Sequence, residues 1–283
     1  MSTQLELGNS SVQRRLSDVV AFRRISPHLL AAIGLPLATL ILLVWYWDWA
    51  VTAYEIPTTL LPRPYDAFQS LSQGIADGSL VFHTWVTLQE VVYGFVIGAA
   101  GGLLLGILIA ESNYVRMALF PFLIAFQMVP KVAVAPLFII WLGYGITSKI
   151  AIAASITFFP VVINTIAGLR SVDVATIEML RAYRASRWQV FHRAKLRYAL
   201  PYIFASLEVA IVLAVIGAIV AEFVGSSSGL GYLILQATHT LETGEIFAVL
   251  VMLSILGVLL NGLVRFFAKR ALFWHESERS TSR

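Results

Sequence analysis

Residues 87–110 read TLQEVVYGFVIGAAGGLLLGILIA, and Glu90 is the single charged residue among them. An α-helix needs about 20 predominantly apolar residues to cross the hydrocarbon core of a bilayer. This stretch is long and apolar enough to do so. Gly94, Gly98, Gly102 and Gly106 recur every four residues, which sets them on nearly one helix face. Small residues at that spacing let a second helix backbone approach closely. Close packing is the simpler reading of the stripe; a flexing helix is the alternative.

The rest of the chain agrees with a membrane reading. Of 283 residues, 58% are hydrophobic and 13% charged, with a mean hydropathy of +0.80. A soluble domain is about 25% charged. The excess excludes a secreted disulfide scaffold, a disordered chain and a typical cytosolic enzyme. There is no cysteine, hence no disulfide, iron–sulfur cluster or thiolate zinc site. The histidines (His28, His83, His192, His239, His275) lack ligand-like spacing. The net charge is +4, with no clustered basic module of the kind that binds nucleic acid.

The expected fold class is all-α, a polytopic membrane protein with six transmembrane helices. The first span, 29–47, runs into Trp45, Tyr46, Trp47 and Trp49, suited to a membrane–water interface. Further spans are expected at 87–110, 115–142, 149–168, 202–224 and 246–267. The third is interrupted by Pro121, Pro130 and Pro136, and the fourth contains Pro160. Such breaks survive in a bilayer only where protein or water satisfies the freed backbone. The third span is therefore expected inside the bundle or along a path. Residues 225–231, GSSSGLG, read as a flexible turn. The organisation is then a cytoplasmic N-terminal segment (1–26), a first transmembrane helix (27–49) and an external loop with a short helix (50–86). A core of five helices (87–268) with a polar loop at 170–200 follows, then a cytoplasmic tail (269–283).

Charge placement fixes the orientation. Six spans put both termini on one side, and 17 of the 20 lysines and arginines then fall on that side. Arg63, Lys131 and Lys149 are the exceptions. This asymmetry places both termini in the cytoplasm. It also explains Arg14, Arg15, Arg23 and Arg24 as orientation signals rather than an export signal, and no removal of the N-terminus is expected.

The polar loop carries Ile177, Leu180, Tyr183 or Arg184, Trp188 and Phe191 near a helical period, with no glycine or proline between 177 and 191. Two short helices fit it. An amphipathic face of this kind lies on lipid headgroups or docks into a partner's groove. The residues alone leave both open.

Residues 178–201 resemble the cytoplasmic coupling loop of binding-protein-dependent ABC importer permeases. That family's pattern is Glu-Ala-Ala, three residues, Gly, nine residues, then Ile-x-Leu-Pro. Similarity continues through Val129-Pro130-Lys131, Ala135-Pro136-Leu137, Trp141-Leu142-Gly143-Tyr144-Gly145, Phe158-Phe159-Pro160 and Ala167-Gly168-Leu169-Arg170-Ser171-Val172. It reaches Ala221-Glu222-Phe223 and Gly229-Leu230-Gly231-Tyr232-Leu233. The resemblance covers roughly residues 60–270 and is closest to the nitrate/sulfonate/taurine and pyrimidine-precursor branch. It implies a type I ABC importer permease in the bacterial inner membrane, surrounded by membrane lipid. It further implies a second permease copy, two ABC ATPase subunits and an external solute-binding protein. No cofactor is expected on this chain; ATP and Mg belong to the partner ATPase.

The resemblance assigns ATPase coupling to Glu178, Arg181, Ala182, Arg184, Ala185, Ser186 and Trp188. The chain departs from the pattern at Met179 and Leu180, at Arg184 in the glycine position and at Arg197 in the proline position. Arginine at 184 suggests a turn of different geometry or one continuous helix. Gln127, Met128, Lys131 and Glu222 are candidates for the translocation path. Glu222 has a structural hydrogen-bonding or ion-pairing role as its alternative, and Glu208 an ion pair with loop arginines. Asn261 reads as interhelical glue. No P-loop, nucleophile elbow or HExxH motif is present. The expected function is a permease subunit for a small or organic anion such as nitrate, taurine or an alkanesulfonate. An ion-coupled secondary transporter, or a permease for a pyrimidine precursor or aromatic acid, stands as the alternative. A membrane enzyme would need a convergent catalytic set.

Overall fold

The computed structural model describes residues 27–273. The expectations placed on the N-terminal segment 1–26, with its four arginines, and on the end of the tail, with Arg279 and Arg283, lie outside the described residues. The chain divides into two units, one ending at Pro57 and one starting at Thr58. The first contains α1 (Pro27–Ala53), whose residues Gly34–Ala53 are apolar enough to span a membrane and almost wholly exposed. Its Tyr46 and Trp49 rings lie 5.8 Å apart.

The second unit contains α2 (Pro64–Ala76), α3 (Ser79–Glu111), α4 (Asn113–Met128), α5 (Lys131–Leu142) and α6 (Ile146–Arg170). Then come α7 (Val174–Ala182), α8 (Arg187–Val190), a π-helical turn (Phe191–Lys195), α9 (Leu196–Gly225), α10 (Leu230–Thr240) and α11 (Thr243–Ala271). All described regular structure is helical. Five helical stretches, α1 included, are long and apolar enough to cross a membrane, and α4 with α5 makes a sixth span if the bent pair is counted as one.

The glycine stripe on α3 faces α6. A Cβ at Gly94 would stand 2.5 Å from the Ala153 Cβ, one at Gly102 2.8 Å from the Phe158 carbonyl, and one at Gly106 2.7 Å from the Thr165 Cβ. At Gly98 it would run into Thr157 Oγ1 and the Ala154 backbone. Two backbones meet here because four side chains are missing. Helix α9 packs on α6 by the same means, with Gly217 against Ala153 and Gly168 against Ala199. The buried residues Val91, Ile211, Ala214, Val215, Ala218, Leu230, Leu233, Val249 and Leu253 join α3, α9, α10 and α11 into one apolar core.

Of the three prolines in the third span, Pro130 breaks the helix. Val129 before it is extended, as proline demands of its predecessor, and the two pieces meet at 98°. Pro121 and Pro136 lie within α4 and α5, as Pro160 and Pro201 lie within α6 and α9. Of the two placements expected for it, inside the bundle or along a path, the bent pair does not take the first within this chain. Leu123, Ala135 and Ile139 are buried, but Met117, Phe122, Phe126, Ile140 and Trp141 are exposed.

Candidate functional site

Two polar regions stand at opposite ends of α9. At its N-terminal end the polar loop folds as two short helices. Asp173 caps α7 by accepting the Ala175 N–H at 3.4 Å. At the other end of α7 the Ala185 N–H donates to the Leu180 carbonyl at 3.0 Å and the Arg184 N–H to the Arg181 carbonyl at 2.8 Å. This paired closure needs a left-handed residue at the second position past the last helical one. Arg184 occupies it, with φ 57°. The chain does not continue as one helix; a turn stands there, and the arginine takes the conformation in which glycine is usual. Ser186 then caps α8, its Oγ accepting the Gln189 N–H at 3.2 Å while Gln189 Oε1 accepts the Ser186 N–H at 2.8 Å.

The loop leaves its other side chains open. Glu178, Arg181 and Ala182 are exposed and Ala185 is half-buried. Tyr183 is 82% exposed and Trp188 69%, the latter stacked on Phe191 at 5.9 Å and His192 at 5.8 Å. Beneath them Val190 and Ala194 are buried. Lys195 donates to Glu111 at 2.8 Å, tying the π turn to the end of α3. The loop is thus rooted in the rod that continues as α9. Among the described residues, Glu208 makes no ion pair with the loop arginines, and Asn261 Oδ1 finds no hydrogen-bond partner.

At the helix break, Gln127 and Met128 are exposed. The Lys131 ammonium donates to the Gln127 carbonyl at 2.8 Å and the Val129 carbonyl at 3.4 Å, and sits 4.6 Å from the Phe159 ring centroid. It satisfies carbonyls that the proline break frees and complements the negative end of α4. The geometry thus gives Lys131, a candidate for the path, a local task.

At the far end of α9, the GSSSGLG stretch is not a loose turn. It delivers the N-terminus of α10 into a socket of side chains from α3 and α9. The Gly229 N–H donates to His83 Nδ1 at 2.9 Å and the Leu230 N–H to Thr87 Oγ1 at 2.8 Å. The Gly231 N–H donates to Glu222 Oε2. Thr87 Oγ1 donates to Glu222 Oε1 at 2.7 Å. The first amides of a helix have no intrahelical acceptor. Here three amides, those of Gly229, Leu230 and Gly231, are met by side chains of α3 and α9. Gly229 has φ +112°, and a Cβ there would collide with the Glu222 carboxylate.

Glu222 is 1% exposed. Its carboxylate is enclosed by its own chain and makes the hydrogen bonds of its structural alternative. Sequence reading missed His83 and Thr87 as its companions. With Glu90 they stand at i, i+4 and i+7 on α3, one polar stripe on an apolar helix, which is the signal that points to them. Near this end a cavity of about 670 Å³ is lined in part by Asp66, Asp77, Glu242 and Glu245.

Comparison with known proteins agrees with the geometry. Residues 102–272 match the family described as binding-protein-dependent transport system inner membrane component. The chain is 37% identical over 246 residues to the riboflavin transport system permease protein RibX of Chloroflexus aurantiacus, covering 87% of this chain and 91% of that one. It is 30% identical over 248 residues to the taurine transport system permease protein TauC of Escherichia coli, covering 86% and 90%. Its fold is similar to a solved inward-facing structure of the MetNI methionine ABC transporter, with TM-score 0.61 and 20% identity over 68% of this chain and 96% of that one. The exposed, rooted loop, the all-helical spans and these matches lead to one conclusion: the chain belongs to the binding-protein-dependent transport system inner-membrane component family, as a membrane-spanning permease subunit of an ABC importer and not an enzyme.

Proposed function

We propose that two copies of this chain form the translocation path for a small organic anion, with both termini cytoplasmic. Two ATPase subunits dock on the 173–190 loops, and an external binding protein delivers the solute to the opposite face. ATP and Mg are bound by the ATPases. The observation that carries this reading is the loop itself. Tyr183 and Trp188 are large aromatic side chains left open on a polar segment, and the helix beneath them runs without a break in the chain into α9. Exposed aromatics of this kind mark interaction sites. A partner that moves the loop moves α9, and the outward- and inward-facing populations shift with it.

Glu178, Arg181, Ala182, Arg184, Ala185 and Trp188 are the docking residues in this reading, with Ser186 holding α8 in place. Gln127 and Met128 face the path at the helix break, beside Lys131. The exposed faces of α4 and α5 meet the second copy or lipid. The acid-lined cavity at the far end belongs to the face that receives the binding protein. An organic anion fits the resemblance to the taurine permease; the riboflavin permease makes a flavin the second solute to try.

The test is co-purification of the full chain, in lipid, with co-expressed ATPase subunits of its own transporter. A complex whose ATP hydrolysis rises with a loaded binding protein supports the reading. Uptake that survives ATP depletion and collapses with an ionophore overturns it in favour of an ion-coupled transporter. Comparing alkanesulfonate, nitrate and riboflavin as solutes decides the substrate class.

A further inference from the structure

Helix α3 ends at Glu111 and α4 begins at Asn113, with Ser112 alone between them. Ser112 Oγ caps α4 by accepting the Val115 N–H at 3.4 Å. Arg170, the last residue of α6, reaches this start and donates through Nη2 to Asn113 Oδ1 at 3.4 Å. Arg116 stands three residues after Asn113, a neighbour on the same face of α4. Its Cζ lies 5.5 Å from the Phe120 ring centroid. Two guanidiniums from different helices thus flank one helix start. Packing fixes them there: Leu123 of α4 is buried with Val162 and Ile166 of α6, and Val115 and Phe120 pack against that cluster.

The charge of this pair is not used within the chain. Glu111, the acid of the α3–α4 turn, is taken by Lys195 at 2.8 Å. Among the described residues, neither Arg116 nor Arg170 forms an ion pair with a carboxylate. The first amides of α4 add to the positive character, because they lack intrahelical acceptors and carry the positive end of the helix dipole. The border of the pair is apolar. Tyr114 and Met117 are 88% and 78% exposed, and Leu104 and Leu108 on the last turns of α3 are exposed as well. A ligand that matches both features carries an anion on an apolar body. Guanidinium forks bind phosphate oxygens in pairs, and basic pockets between membrane helices bind lipid headgroups.

We propose that Arg116 and Arg170 hold the phosphate of an anionic membrane phospholipid, whose acyl chains lie along the exposed apolar side of α3 and α4. The site is distinct from the 173–190 loop and from the α10 socket. A lipid fits better than a soluble anion because exposed Tyr114, Met117, Leu104 and Leu108 surround the charges. Placing the lipid in the cytoplasmic leaflet rests on the orientation proposed above; the binding itself does not.

The test uses the full chain in detergent, titrated with phosphatidylglycerol, phosphatidylcholine or inorganic phosphate, with bound molecules counted by native mass spectrometry. Phosphatidylglycerol is expected to bind about tenfold or more tighter than phosphatidylcholine, and millimolar inorganic phosphate should not displace it. The double change Arg116→Gln with Arg170→Gln should lower phosphatidylglycerol to the phosphatidylcholine level. Lys269→Gln with Arg270→Gln removes the same charge from exposed positions in the last turn of α11 and should leave binding at the wild-type level. Equal binding of the two lipids overturns the proposal. So does an equal loss in both double variants, which would show a general charge effect. Displacement by inorganic phosphate also overturns it, and assigns the arginines to a soluble anion. If the first double variant does not fold, Arg116→Gln alone decides: a loss of about fivefold supports the site, and unchanged binding overturns it. No ATPase or solute takes part, so failure here leaves the permease reading standing.

Discussion

The two ends of α9 solve one problem, the termination of a short helix, in opposite ways. At the loop end, α7 closes on its own backbone with Arg184 in a left-handed conformation, and the neighbouring aromatic side chains are left open. At the other end, α10 starts in a socket where His83, Thr87 and Glu222 meet its amides and every socket residue comes from elsewhere in the chain. The first region is locally determined and unfinished on the outside. The second is determined by side chains of other helices and closed. A surface meant for a partner keeps its side chains free, whereas one that holds the protein together uses them up. Substitutions at the α10 end therefore act on stability, and those at the loop end act on transport.

The largest expected effect is at the closed end. Glu222→Ala leaves the Thr87 hydroxyl and the Gly231 amide without their acceptor. A buried donor left unmet costs about 1–3 kcal/mol, and removing one member of a buried charged set costs about 3–5 kcal/mol. A loss in the upper range, about 3–5 kcal/mol, is expected in thermal or denaturant unfolding of the full chain in detergent. A loss under about 1 kcal/mol would mean that water replaces the carboxylate and that the socket is open.

Next comes the helix contact that supports the socket. Gly98→Val drives a branched side chain into Thr157 and the Ala154 backbone. Overpacking of this kind costs about 1–3 kcal/mol. Gly257→Ala on α11 is the control, because a Cβ there meets nothing within 4 Å; it should be neutral or stabilising by about 0.5–1 kcal/mol. Equal losses at both positions would show that the cost is general to these helices rather than specific to the α3–α6 contact.

At the open end, Glu178→Lys should leave the unfolding midpoint unchanged, since the side chain is exposed. ATP-driven uptake should fall about tenfold or more, equivalent to about 1.4 kcal/mol of docking energy. Normal uptake would remove Glu178 from the docking surface. A lowered midpoint would move it to the class of residues that the closed end exemplifies.

The contrast also explains what the sequence made visible. The apolar runs and the four-residue glycine spacing are local patterns, so the spans and the close packing of α3 against another helix could be anticipated, though not that the other helix is α6. The bend at Pro130 was visible as one of three prolines. Nothing local distinguished it from Pro121 and Pro136, which helices accommodate. The loop's two helices follow from its periodicity. The socket was not legible, because Thr87 and Glu222 are 135 positions apart and His83 and Gly229 are 146 apart. GSSSGLG reads as flexible because its order is supplied by side chains of another helix. Glu222 stands as a path candidate in the sequence because an intramembrane acid signals function by default, and its donors are a hydroxyl from another helix and a backbone amide, which a sequence does not display.

The smallest effect is the most discriminating at the open end. A non-glycine residue in the left-handed region is strained by about 1–2 kcal/mol. Glycine at 184 relieves that strain but gives the unfolded chain more freedom, which returns about 0.4–1 kcal/mol. Arg184→Gly should therefore stabilise the chain by about 1 kcal/mol or slightly less, seen as a raised unfolding midpoint. Arg184→Ala should bring no such gain, because alanine keeps the Cβ. If the strain is all that Arg184 contributes, uptake is retained or strengthened in the glycine variant. If uptake falls while the midpoint rises, the guanidinium makes a contact with the ATPase that offsets the strain, and the departure from glycine is a feature of how this loop recognises its partner.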